Sequence, residues 1–154
     1  MSDTTITTLS SAKISKRLAA MLYDSLLLMA VSIGYGAVAL AIKVNVFGET
    51  LLEGEKASLG PIGFIGWVIV LVAFYCVFWK KFGQTLGMKA WRLKVTDIHG
   101  KHLSVSQGLR RCAWASLSIA TLGLGYLWLL VDREQLTLHD RLSATRVWQL
   151  PKGR

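Results

Sequence analysis

The chain has 154 residues, of which 53% are hydrophobic, and a formal net charge of +9. Three apolar runs, at 18–42, 61–79 and 112–131, contain a single charged residue between them. This pattern excludes an ordinary soluble domain and predicts a small polytopic membrane protein. Most of the cations flank the runs, as they do in cytoplasmic loops, so the charge predicts contact with an anionic inner leaflet and not with nucleic acid.

The first predicted element is a long helix over residues 16–42. A polar segment, 1–12, precedes it as a predicted disordered tail, and one membrane domain over 13–150 follows. The helix exceeds the roughly 20 residues needed to cross a bilayer, and also the roughly 7–15 apolar residues of a signal peptide. Residues 43–61 contain three glutamates and are the predicted outer loop.

The second transmembrane helix is predicted over residues 61–79. Within residues 88–105, residues 91–96 show a period of two in which apolar side chains alternate with polar and basic ones, and Leu103 and Val105 provide a returning strand. This pattern predicts a short basic β-hairpin at the membrane interface, with its turn at 97–100. Ser104 and Gln107 have capping-box spacing and predict that a helix starts there.

A third hydrophobic helix is predicted over residues 105–131, with a break near Gly123 and Gly125. If the run spans fully, lysines and arginines divide as 11 inside and 7 outside; if it bends back, they divide as 16 and 2. The positive-inside rule favours the second topology. The predicted fold is therefore an all-α membrane protein: two transmembrane helices, a third broken or re-entrant hydrophobic helix, the hairpin, and an amphipathic C-terminal segment over 132–150.

Asp24 is the only charged residue of the first apolar run. A carboxylate at the centre of an isolated transmembrane helix costs about 2.5–3.5 kcal/mol, so it predicts a partner, a proton or an ion. Arg17 lies on the same helix face but about 10 Å away along the axis, so a neutralising cation must come from elsewhere. Arg141 and Arg146 are the candidate charge partners. Three interpretations stay open: a cation or proton site, a structural lock, or a carboxylate facing a water-filled crevice.

The chain carries no signature of an enzyme or of a cofactor site. No nucleophile–base pair, phosphate-binding loop or dinucleotide fingerprint occurs. His99, His102 and His139 are too scattered to predict a metal site. Cys76 and Cys112 lack metal-binding spacing and are predicted to be small buried hydrophobic residues.

Four motifs follow one another between residues 13 and 148. Arg17 lies at the start of the first predicted helix and Asp24 lies within it. Residues 83–88 read Gly-Gln-Thr-Leu-Gly-Met. A strand and turn pattern follows at 93–100, and residues 138–147 read Leu-His-Asp-Arg-Leu-Ser-Ala-Thr-Arg-Val. Their order and spacing resemble the RDD family of small bacterial membrane proteins, which is named for an arginine and two aspartates.

The resemblance implies which residues form the site. In this family the arginine opens the first helix, the first aspartate lies within it, and the second precedes a threonine-containing ending. Arg17, Asp24 and Asp140 are thereby implied as a ligand, ion or gating site, with Thr145 in the C-terminal motif. Ala144 stands where the family's ending has glycine.

Two functional hypotheses follow, because transport has been proposed for the family and some members are associated with sodium–proton exchange. In the first, the protein moves a small cation or proton, with Asp24 as carrier and Arg17 and Asp140 in a gate. Two or three helices are too few to enclose a path, so this hypothesis requires a homo-oligomer. In the alternative, the protein is a non-transporting scaffold or a lipid- or partner-binding module, and these residues are structural. Both place it in the bacterial inner membrane as a multi-pass protein with a cytoplasmic N-terminus.

Overall fold

The computed structural model describes residues 9–47 and 59–151 of the chain. Within these ranges the helices are α1 (Ile14–Phe47), α2 (Gly60–Phe82), α3 (Leu86–Ala90), α4 (Val105–Ala120), α5 (Leu124–Leu127), which continues into a 3-10 turn (Trp128–Leu130), and α6 (Leu138–Leu142). The strands are β1 (Ser10–Ser11), β2 (Leu93–Asp97) and β3 (Thr145–Gln149), which form an antiparallel sheet in the order β1-β3-β2. Residues 1–8 of the predicted tail and 48–58 of the predicted outer loop lie outside the described residues.

Helices α1 and α2 are long and apolar enough to cross a membrane. Many of their apolar side chains face away from the rest of the protein: Leu22 is 69% exposed, Ile33 67% and Ile62 86%. Apolar surface this extensive matches a lipid environment better than water. Helix α2 ends at Gly83, which adopts the left-handed conformation (φ +67°) and donates its N–H to the Trp79 carbonyl at 3.0 Å.

The third apolar run bends sharply. The predicted capping box of Ser104 and Gln107 is confirmed at the start of α4. The helical segments Val105–Ala120 and Leu124–Leu130 then meet at an angle of 107°, next to Gly123, whose φ is +84°. By length and composition the described residues therefore contain two candidate spans, or three if the bent pair counts as one. Re-entry of this run stays a prediction.

Strand β2 forms where the period of two predicts a strand, but its partner differs from the predicted hairpin over 88–105. It pairs along its whole length with β3, from Leu93 opposite Gln149 to Asp97 opposite Thr145. The segment that was expected to return as the second hairpin strand instead leads into α4, because its capping box favours helix. The apolar face of β2 is buried in the protein, where Leu93 and Val95 are almost completely inaccessible.

The buried apolar core lies at one end of the helices, where α1 begins, α2 ends and β2 packs. Its members are Ala12, Ala20, Trp79, Met88, Leu93, Val95, Leu103 and Val147. The C-terminal segment supplies α6 and the central strand β3 to this end. Ser10 and Ser11, at the end of the predicted disordered tail, form β1 there by pairing with the outer edge of β3.

Candidate functional site

Asp140 is completely buried and joins three elements of the fold. It completes a capping box at the start of α6: Oδ2 accepts from the Thr137 N–H at 3.2 Å, and the Thr137 hydroxyl accepts from the Asp140 N–H at 3.3 Å. The same carboxylate forms ion pairs with Arg17 of α1 and Arg111 of α4. The local cap therefore orients the acid that connects the C-terminal segment to two long helices.

The two guanidinium groups have further contacts that hold them in place. Arg17 donates from Nε to the Ala12 carbonyl at 3.0 Å. Arg111 donates from Nη1 to the Thr145 hydroxyl at 2.6 Å and lies over the Trp79 ring, 5.3 Å from its centroid. Such additional contacts are needed because the attraction within a buried ion pair must offset the desolvation of both charges.

The charge states at this cluster follow from burial and from the two arginines. Burial, and after it the guanidinium of Arg111, lower the pKa of His139 to about 3, although Asp140 opposes the shift. Burial alone would raise the pKa of Asp140, but Arg111 and Arg17 outweigh burial and hold that pKa well below its usual range. At neutral pH the cluster therefore contains two cations, one anion and a neutral imidazole.

Asp24 forms a second, separate polar contact at the same end of the helices. Only 3% of it is exposed. Its Oδ2 accepts from the Thr85 hydroxyl at 2.5 Å and its Oδ1 from the Gly87 N–H at 2.8 Å. Thr85 is also the N-cap of α3, since its hydroxyl accepts from the Met88 N–H at 3.2 Å. The segment after α2 thus binds the intramembrane carboxylate with neutral donors.

The two arginines proposed from the sequence as partners of Asp24 have other neighbours. Arg141 is 51% exposed and pairs with Asp132 at 2.8 Å. It follows Asp140 directly, and because successive side chains on a helix point about 100° apart, it lies outside the buried face that His139 and Asp140 occupy. Arg141 therefore pairs with Asp132 from the exposed side of α6 and does not reach Asp24.

Arg146 lies on β3 between the buried residues Thr145 and Val147, so the alternation of the strand places it on the other face. Its Nη2 donates to the Glu134 carbonyl at 3.1 Å, and its guanidinium lies over the Trp148 ring, 4.6 Å from the centroid. The structure therefore brings Arg17 and Asp140 together with Thr145, which contacts Arg111, and leaves Asp24 in its own hydrogen-bonded site.

Both polar sites line one cavity of about 370 Å³. Its charged and ionisable lining residues include Arg17, Asp24, Arg111 and His139, and the rest of its wall is mostly apolar. Among residues 9–47 and 59–151, no cluster of three or more histidine, cysteine or acidic side chains could hold a metal ion. The arrangement suits a ligand with a polar end and an apolar body.

Three residues of these contacts were not singled out from the sequence as site residues. In the sequence Arg111 is one of the cations that flank an apolar run, and only its position inside the start of a helix, next to Arg110, distinguishes it. Thr85 and Gly87 lie in the Gly-x-Thr-x-Gly segment, where a hydroxyl and a residue without a side chain mark a close backbone approach. Their partner cannot be read from local sequence, because Asp24 lies 61 positions from Thr85.

Comparison with known proteins identifies the family of the chain. The family model described as the RDD family matches residues 11–144, which is most of the chain and includes Arg17, Asp24 and Asp140. Neither the curated proteins nor the solved structures contain a match to the chain. The chain therefore belongs to the RDD family.

Proposed function

We propose that this protein is a non-enzymatic, non-transporting module of the bacterial inner membrane that binds a lipid-like ligand. In this proposal Arg17, Asp24 and Asp140 fix the arrangement of its helices. The observation that carries the proposal is the complete burial of Asp140, whose two oxygens are each paired with an arginine. A carboxylate held in this way is already outweighed by two fixed positive charges and would attract a transported cation poorly.

The contacts of Asp24 support the same role. Both of its oxygens accept hydrogen bonds, from the Thr85 hydroxyl and the Gly87 N–H, so its interactions attach α1 to α3. A buried polar group whose oxygens are both hydrogen-bonded stabilises one arrangement of its elements, whereas leaving it unpaired costs free energy. A carrier of cations or protons would have to break these bonds in each cycle.

The ion pair of Arg17 with Asp140 also supports a topology with both termini on one side of the membrane, and the positive-inside rule favours the cytoplasm. Arg17 lies near the start of α1, and a direct contact cannot extend across a hydrocarbon core about 30 Å thick. The Tyr126 ring, which follows the bend, packs edge-on against His139 with 4.7 Å between centroids. The third apolar run would then enter the membrane and return to the same side.

A reporter active only in the cytoplasm is expected to work when fused after the C-terminus, and one active only in the periplasm is expected to fail. Fusions truncated within the acidic segment 48–58 provide the control, because the proposed topology predicts the opposite pattern for them. Periplasmic activity of the C-terminal fusion would contradict the topology, since it would separate Arg17 from Asp140.

Replacing Asp24 with asparagine is expected to lower the free energy of unfolding by about 1.5–3 kcal/mol, because two hydrogen bonds lose their charged acceptor. Cation and proton flux into proteoliposomes should equal that of the unmodified protein. Thermal unfolding in detergent measures the first effect, and ion-sensitive dyes measure the second. Flux that disappears in Asp24→Asn while the melting curve stays unchanged would refute the structural role.

A double-mutant cycle separates a direct Asp24–Thr85 contact from a general loss of stability. Thr85→Val removes the hydroxyl with little change in shape, and Thr85→Ser retains it as the matched control. Asp24→Asn should cost less in the Thr85→Val background than in the Thr85→Ser background. Equal costs in both backgrounds would show that the two side chains do not stabilise each other.

Transport of a small cation or proton is the second candidate function. The observation that favours it is the presence of Asp24 in the wall of the cavity, because intramembrane carboxylates often mark ion pathways. This candidate requires a homo-oligomer, since two or three helices do not enclose a path. The flux measurement on Asp24→Asn distinguishes it from the structural proposal.

A further inference from the structure

The cavity between α1, α2 and α4 has a polar end and an apolar end. Arg17 on α1 and Trp79 on α2 line it near the sheet, while Leu28 and Val68 line it deeper in the helices. Eleven residues separate the two levels on each helix, which corresponds to about 16 Å along the axis. The helices are antiparallel, and Trp67 donates to the Ser32 hydroxyl at 2.9 Å near the deep end.

Among the described residues, five buried side-chain polar atoms have no hydrogen-bond partner, and three of the five belong to residues that line the polar end of the cavity. These three are Arg17 Nη2, Trp79 Nε1 and His139 Nδ1. All three side chains are more than nine-tenths buried. Unsatisfied buried polar atoms are rare because each costs free energy, so these three are the polar groups that a ligand at this end of the cavity would satisfy.

The chemistry of these atoms specifies the polar end of that ligand. The Arg17 and Trp79 nitrogens can only donate, and a neutral histidine nitrogen can donate or accept. Arg17 and Arg111 supply two positive charges here against the single charge of Asp140. Asp24 lies about 10 Å further along α1, with both oxygens already bonded. An acceptor with negative charge, such as a carboxylate, satisfies these donors best.

The apolar end specifies the rest of the ligand. Its wall includes Leu28, Val68, Leu71 and Val72, which offer no polar partner. The volume of about 370 Å³ is near the lower bound of about 300–1,000 Å³ for ligand sites, which favours one alkyl chain over a whole two-chain lipid. A single chain can extend from the arginines to the level of Val68.

We propose that this cavity binds a long-chain carboxylate, with its head group at Arg17 and Trp79 and its alkyl chain along Leu28 and Val68. The inference rests on the proposed non-transporting function, because an alkyl chain that fills the cavity would block a cation path through it. It deepens that function by naming the chemical class of the ligand.

The experiment uses the full chain in lipid nanodiscs and a photoactivatable analogue of palmitate as the probe. Labelling is expected to be saturable and to be reduced by unlabelled palmitate. Hexadecanol has the same chain with a neutral head group. Because it offers the two arginines no negative charge, it should compete about tenfold more weakly, which corresponds to about 1.4 kcal/mol. Equal competition by hexadecanol, or labelling that does not saturate, would overturn the proposal.

Two variants test the opposite ends of the cavity. Trp79→Phe keeps an aromatic ring beneath Arg111 but removes the unpartnered N–H, and should weaken palmitate binding about tenfold. Val68→Trp fills the apolar end and should weaken it by at least about tenfold. The matched control is Val77→Trp, which lies on the opposite face of α2, where Val77 is 55% exposed, and should change binding less than about twofold.

Thermal unfolding establishes that each variant is folded before its binding is compared. Equal binding by Val68→Trp and Val77→Trp, or unchanged binding by Trp79→Phe, would overturn the assigned site. The Asp24–Thr85 cycle is measured without palmitate and therefore judges the structural proposal separately. Coupling in that cycle without saturable labelling would reject the ligand and leave the structural role standing. Saturable labelling without coupling would support the ligand and reject that role.

Discussion

Replacing Asp140 with asparagine is expected to lower the free energy of unfolding by about 3–5 kcal/mol, because it leaves two buried guanidinium groups without their shared counter-ion. Asp140 is fully buried, and Arg17 and Arg111 are each 6% exposed, so water cannot replace the lost partner. The carboxamide also presents an N–H₂ group to one of the two cations. Thermal or denaturant-induced unfolding in detergent measures the change.

Glu134→Gln is the matched control for this prediction. It makes the same acid-to-amide change on an exposed residue of the same segment and should alter the melting temperature little. A further variant tests the cause: Arg111→Met combined with Asp140→Asn removes one unpaired cation and should recover part of the lost stability. A melting temperature for Asp140→Asn equal to that of Glu134→Gln would show that the ion pairs do not support the fold.

Replacing Gly87 with alanine is expected to lower the free energy of unfolding by about 1–3 kcal/mol, as overpacking of a closely packed contact does. A Cβ at this position would lie 2.8 Å from Asp24 Oδ1 and closer still to the Ala20 carbonyl. That carbonyl belongs to the interior of α1 and cannot move without distorting the helix. The N–H of residue 87 would also be pushed away from Asp24.

The matched control is Gly34→Ala, another glycine-to-alanine change in a helix that packs in this contact. A Cβ at Gly34 would meet nothing within 4 Å, and alanine is the better helix former. The control should therefore leave the melting temperature unchanged or raise it slightly. Thermal unfolding of Gly87→Ala that matches Gly34→Ala would mean that α3 does not pack closely on α1.

These predictions describe two polar contacts that hold the same end of the molecule. One joins α6 to α1 and α4 through Asp140, and the other joins α3 to α1 through Asp24. Both line or adjoin the cavity, so the contacts that stabilise the fold also shape its polar end. A ligand in the cavity would bind only the folded protein and is therefore expected to raise the melting temperature.

The departure of this chain from the family's glycine-containing ending does not prevent the turn before β3. Ala144 adopts the left-handed conformation there, with φ +52°. An L-residue pays roughly 1–2 kcal/mol for this conformation. The contacts that follow the turn offset this cost, because Thr145 then accepts a hydrogen bond from Arg111 and β3 pairs between β1 and β2.

The sequence by itself determined the elements whose signals are local. Apolar runs of sufficient length predicted α1 and α2, the spacing of Ser104 and Gln107 predicted the start of α4, and alternation predicted strand β2. The glycines near 123 also coincide with the observed bend. Each of these signals lies within a few residues of the element that it predicts, which is why it can be read without knowledge of the fold.

Only the tertiary structure decided which elements and side chains meet. Strand β2 pairs with β3 and not with its neighbour in sequence, because this pairing buries its apolar face in the core. Asp24 was expected to need a cation, but buried carboxylates are also stabilised by neutral O–H and N–H donors, and Thr85 and Gly87 supply them. The sequence showed where charge enters the membrane, whereas the partners of each charge depend on contacts between segments far apart in the chain.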